Sequence, residues 1–145
     1  MTITNIRIAT FVFIISSIFS SCAEEEPKII PDVYVRFSIN LSLPQFNSLT
    51  VQGNSIIYPN EGYDNNGVII FRYTQDDFLA FDATCPQHIT RSTAILLNDE
   101  ETLGTAICPH CETTYSFFNF GQANKGYPLK RYQAILSGGY VHVNN

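Results

Sequence analysis

The chain of 145 residues has no tryptophan, one methionine, three histidines and four cysteines. It is also short of positive charge: eight Lys and Arg stand against thirteen Asp and Glu, a formal net charge of −5 at pH 7. That balance argues against a nucleic-acid partner, because neutralising phosphates takes a basic face. There is no Gly-rich phosphate loop, no Ser/His/Asp constellation and no internal repeat, so a nucleotide cradle, a hydrolase triad and a solenoid are excluded as well. Runs of about 20 apolar residues, the length that crosses a bilayer as a helix, are missing too.

The N-terminus carries instead a basic Arg7 followed by the apolar run Ile8 to Phe19, which has the length of a signal-peptide core. The run ends in Phe19-Ser20-Ser21-Cys22, which resembles a bacterial lipoprotein cleavage site. Residues 1–21 are then expected to be a signal peptide and Cys22 the lipid-modified start of the mature chain. Two or more acyl chains make membrane residence stable. Residues 22–32 read as a tether that includes Glu24 to Glu26. An acidic run at this place is similar to the surface-export signal of Bacteroidota lipoproteins. The expected address is a lipid anchor in the outer membrane, extracytoplasmic, with the cell surface as its finer form.

Residues 33–145 make one domain with room for a single core. Val33 to Leu41 alternates apolar and polar residues as a half-buried strand does, and Pro44 ends it. Eight further apolar runs follow, from Ile56–Tyr58 to Tyr140–Val143, divided by turn formers such as Asp64-Asn65-Asn66-Gly67 and Ser137-Gly138-Gly139. No stretch has the periodicity of an amphipathic helix. The pattern predicts an all-β antiparallel sandwich or barrel, with Phe and Tyr supplying the bulky core groups.

Three of the four cysteines fall in two clusters, Cys85-Pro86-Gln87-His88 and Cys108-Pro109-His110-Cys111, with nineteen residues between them. Each cluster offers a pair of soft or borderline ligands on a tight turn, and two such turns make a four-ligand site for zinc or an iron–sulfur centre. Phe78 to Phe81 runs as a strand towards Cys85, and Leu103 to Ile107 runs into Cys108. A hairpin over the intervening Ile95-Leu96-Leu97 brings the two loops side by side.

With the following Glu112-Thr113-Thr114-Tyr115, and with Gly121-Gln122-Ala123 leading to Tyr127-Pro128-Leu129 and Tyr132, the chain resembles the Rieske family. That family has a Cys-x-His loop, a Cys-x-x-His loop followed by Gly-Ser-x-Tyr, and a third loop that covers the cluster. The resemblance implies a β fold with a small ribbon-like cluster-binding subdomain, a 2Fe-2S cluster, extracytoplasmic electron transfer and a redox protein partner. It implies that Thr113 and Tyr115 donate hydrogen bonds, the first to a bridging sulfide and the second to a cysteine sulfur, which raises the potential. No catalytic residues are implied. A Rieske oxygenase needs a further iron site of two histidines and a carboxylate, and the chain has too few histidines for one.

The chain departs from that pattern at three places. Gln87 stands where the first histidine is expected and His88 follows it; Cys111 stands in place of the second histidine, with His110 one position early; and Glu112 replaces a glycine that often serves a backbone with positive φ. Three readings of the site follow. Cys85, His88, Cys108 and Cys111 hold an iron–sulfur cluster; or they hold zinc, since Cys-x-x-His and Cys-x-x-Cys are structural-zinc spacings; or there is no metal and Cys85 pairs with Cys108 or Cys111 in an oxidising compartment, leaving a Rieske-like shell used for surface interaction. His110 is the alternative ligand and otherwise faces solvent. His142, Lys125, Lys130 and Arg131 read as surface residues.

Overall fold

The computed structural model describes residues 29–89, 95–97 and 103–145. The expected signal peptide, Cys22, the acidic tether up to residue 28 and the acidic turn 98–101 lie outside these residues. Among the described residues ten strands follow in order: β1 (Arg36–Asn40), β2 (Ser55–Tyr58), β3 (Val68–Arg72), β4 (Phe78–Asp82), β5 (Leu96–Leu97), β6 (Thr105–Ile107), β7 (Thr114–Ser116), β8 (Gln122–Ala123), β9 (Arg131–Ser137) and β10 (Tyr140–Asn144). The all-β expectation is met, with every paired neighbour antiparallel. Among the described residues no helix is long and apolar enough to cross a membrane.

The larger sheet has six strands in the order β1-β10-β9-β4-β3-β2 and the smaller has four in the order β5-β6-β7-β8. The large sheet curls far enough for its two edge strands to meet. Phe37 of β1 stacks on Tyr58 of β2 with ring centroids 4.2 Å apart and planes 7° from parallel. Strand β3 explains the double-layered core. Val68 and Ile70 face into the curled sheet with Val35, Ile39, Leu49 and Val141, while Ile69 and Phe71 face the smaller sheet with Phe81, Ile95 and Phe117. Because successive side chains leave a strand on opposite faces, a strand with a core on each side must be apolar throughout, and all four of these residues are fully buried.

Two local elements differ from expectation. Pro44 does end the first strand but also opens a 3-10 turn, Pro44–Thr50, whose Leu49 plugs the curled sheet; proline suits that first position because its missing N–H would be unpaired there anyway. Strand β8 was not foreseen, since two residues with one apolar side chain carry no period. The Ser137-Gly138-Gly139-Tyr140 turn is as expected: Gly138 and Gly139 have φ of 58° and 82°, the left-handed pair that a two-residue hairpin turn needs.

Candidate metal centre

Strand β4 leads to the first ligand and is fastened where it ends. Asp82 is fully buried, and its Oδ2 accepts from the Tyr63 backbone N–H (2.7 Å) and the Tyr132 hydroxyl (2.6 Å), while Oδ1 accepts from the Thr84 N–H (2.8 Å). A buried carboxylate without such donors would be costly. The buried Thr84 donates its hydroxyl to the Tyr63 carbonyl and accepts from the Asn66 amide. Cys85 follows directly, and the turn to His88 closes with the His88 N–H on the Cys85 carbonyl at 3.0 Å.

The second ligand loop leaves β6 and returns into β7. The Glu112 N–H bonds to the Cys108 carbonyl and the Cys108 N–H to the Thr113 carbonyl, both at 2.9 Å. Closing that turn puts Glu112 at φ 56°, in the left-handed region where the resembled pattern carries glycine. The pairing of β5, β6 and β7 sets the loop beside the first one, as the hairpin reading expected.

Cys85, His88, Cys108 and Cys111 thereby come together, with one ligand atom from each all lying within 4.8 Å of one another. Cys85 Sγ is 3.8 Å from Cys111 Sγ and 4.0 Å from His88 Nδ1. All three cysteines are free thiols. Cys85 and Cys108 are fully buried, whereas His88 and Cys111 are half-buried, so the group has a closed side and a side at the surface. His110 is exposed and outside the group. His142 is exposed on β10, 2.7 Å from the Ser38 hydroxyl.

Both hydroxyls named from the sequence lie at sulfur. Tyr115 Oη is 3.2 Å from Cys85 Sγ, and Thr113 Oγ1 is 3.0 Å from Cys111 Sγ. Thr113 has the Cys111 sulfur within reach because that cysteine stands two residues before it. Burial pushes the Cys85 thiol up to about 12 against the bond from Tyr115. Burial also opposes ionisation of Cys111, but its hydrogen bonds with the Thr113 side chain and backbone, and with Cys108 and Cys85, outweigh it and bring this thiol down to about 6. A metal ion binds thiolates, so its arrival displaces the Cys85 proton and couples binding to pH.

The third loop closes over the group from β8 and β9. Gly121, at φ 80°, sits against Phe81, whose ring would lie 2.7 Å from any Cβ added there. The Leu129 N–H bonds back to the Gly121 carbonyl.

No protein-family model and no curated protein matches the chain. Solved structures do. The chain is similar to the ferredoxin of carbazole 1,9a-dioxygenase from Nocardioides aromaticivorans IC177, with TM-score 0.47 and 14% identity over 77% of this chain and 97% of that one. It is similar as well to a chain in the complex of reduced oxygenase and oxidised ferredoxin in carbazole 1,9a-dioxygenase, with TM-score 0.48 and 14% identity over 79% of this chain and 94% of that one. The chemistry of the centre rests on this chain's own residues.

Several of those residues make contacts that the sequence did not foretell. Gln87, between the first two ligands, donates its side-chain amide to the Tyr127 carbonyl at 3.0 Å and packs on Gly126, so it ties the third loop to the first. Lys125 donates to the Cys111 carbonyl at 3.0 Å. Lys130, expected on a solvated face, bonds to the Pro31 carbonyl and pairs with Asp32 at 3.1 Å. Asp82 could have been found: strand alternation places it on the face of Phe78 and Ala80, where a carboxylate needs partners.

Proposed function

We propose that the protein is a lipid-anchored, extracytoplasmic electron carrier whose Rieske-like β domain holds a redox-active metal centre on Cys85, His88, Cys108 and Cys111. The observation that carries this reading is the two-sided burial of the four ligands: Cys85 and Cys108 in the core, His88 and Cys111 at the surface. A carrier needs a centre that is shielded from water yet close to a docking partner. Iron bound there would supply one-electron chemistry; Cys85, His88, Cys108 and Cys111 would hold it, and the buried side of the group would keep water from it. Donated to metal-bound thiolates, the hydroxyls of Tyr115 and Thr113 would lower electron density at the sulfurs and so favour the reduced state. A redox protein would approach the end that exposes Pro109, His110 and Tyr127.

Attachment through Cys22, with Glu24 to Glu26 as the export signal, would place the domain at the outer membrane, facing outward. The residue pattern that supports this is Phe19-Ser20-Ser21-Cys22 followed by the acidic run. The second reading, structural zinc in a Rieske-like shell that serves surface interaction, is favoured by the two backbone-closed knuckle turns at Cys85 and Cys108.

Redox titration of the full chain in detergent, followed by visible and paramagnetic resonance spectra, tests the proposal. A reversible one-electron step that shifts when Tyr115 is replaced supports an electron carrier. A colourless protein with no redox step, in which zinc is stoichiometric, overturns it.

A further inference from the structure

The 2Fe-2S cluster implied by the resemblance does not fit the positions of these ligands. In a two-iron rhomb each iron takes two protein ligands, so however four ligands are divided, those on opposite irons stand roughly 6 Å apart. Cys85 would share an iron with Cys108, with Cys111 or with His88; each choice leaves four cross distances of that size. Here every pair of ligand atoms lies within 4.8 Å. No division of the four leaves room for two irons.

One ion fits. Four donors around a tetrahedral metal, with metal–sulfur near 2.3 Å and metal–nitrogen near 2.0 Å, lie about 3.6–3.8 Å from one another. The separation of Cys85 Sγ from Cys111 Sγ is 3.8 Å, that from His88 Nδ1 is slightly longer at 4.0 Å, and none of the six exceeds 4.8 Å, nearer to the single-ion spacing than to that of a two-iron rhomb. We propose that Cys85, His88, Cys108 and Cys111 form a mononuclear tetrahedral site for one zinc or iron ion. The inference rests on the reading above that these residues bind metal, and it replaces only the number of ions held.

The departures from the family pattern supply the physical cause. The extra residue in the first loop makes Cys85 to His88 a single hydrogen-bonded turn, which folds the histidine back beside its own cysteine. Cys111 substitutes a short side chain for an imidazole, drawing the second pair inward. Its sulfur is bonded to Thr113 and its carbonyl to Lys125, while the Cys85 sulfur is bonded to Tyr115. The sulfurs are therefore held from outside the group as well as within it. Gln87, in the place of the expected histidine, points away to Tyr127.

The test uses the full chain extracted in detergent, with metal, protein and acid-labile sulfide measured on one preparation. One metal per chain without labile sulfide is expected. Two irons with two labile sulfides would overturn the single-ion site while leaving the electron carrier intact. A single zinc would uphold the single-ion site and remove the carrier; a single iron with a reversible couple would uphold both. Protein stripped of metal is then titrated with Co2+. Saturation at one equivalent, with the intense bands of tetrahedral cobalt thiolate, is expected, and His88→Ala should shift those bands. Absence of Co2+ binding at micromolar concentration, or saturation at two equivalents, would count against the site.

Discussion

The hydroxyl of Tyr115 lies 3.2 Å from the Sγ of Cys85, and both residues are buried. The contact joins β7 of the small sheet to the loop that leaves β4 of the large one, so the two halves of the molecule meet at a ligand. Tyr115→Phe removes the donor without removing the ring. Metal affinity should fall about 10-fold or more, the scale seen when a partner of a ligand is lost. If the metal is iron, the potential should fall as well, because the oxidised state is then relatively favoured. Chelator competition and potentiometry check the two effects.

The two neighbouring histidines should behave differently. His88 belongs to the gathered four and His110 is exposed outside them. His88→Ala should release the metal or weaken its binding by several orders of magnitude, while His110→Ala should leave metal content unchanged. Metal analysis of both variants after the same purification compares them directly.

Glu112 occupies a left-handed backbone, φ 56°, at a cost of about 1–2 kcal/mol for a residue with a Cβ. Glu112→Gly should therefore raise stability by about 1 kcal/mol. It also removes a negative charge beside the centre. Urea unfolding of the two metal-loaded proteins shows the difference as a higher midpoint at unchanged slope.

The bond from Tyr132 to Asp82, 2.6 Å long and buried, predicts a response to alkali. Burial, and then the adjacent Asp82, hold the Tyr132 phenol above its ordinary value of 10.0. Folding thus favours the protonated phenol. Its stabilising contribution is complete below pH 10 and is lost as pH rises beyond it. Tyr132→Phe should cost about 1–3 kcal/mol at pH 7.5, since the buried Asp82 side chain is left with one donor fewer. It should cost progressively less above pH 10. Urea midpoints of both proteins across that range test the sign.

The fold was legible where side-chain period carries it. The alternation of β1, the apolar runs of β3 and β10 and the two glycines of the last hairpin each pointed to one local structure. Strand β8 and the Pro44–Thr50 turn had no period to read, since tertiary packing holds both in place. At the centre, ligand types and spacing singled out Cys85, His88, Cys108 and Cys111, the four that the fold gathers, because knuckle turns are local. The separation between the two knuckles is set by how the sheets pack, and spacing along the chain does not encode it. For that reason the sequence pointed first to the cluster and kept zinc and a metal-free shell as alternatives, and it marked Gln87 only as a departure from the expected histidine, with no signal that it secures the third loop from a distance of forty positions.

X-ray absorption at the metal edge of the purified full chain tests the central claim most directly, because it counts the atoms around the ion. The account predicts a first shell of three sulfurs and one nitrogen with no metal neighbour inside about 3 Å. A short metal–metal vector with extra sulfide sulfurs, or a shell holding two nitrogens, would contradict it.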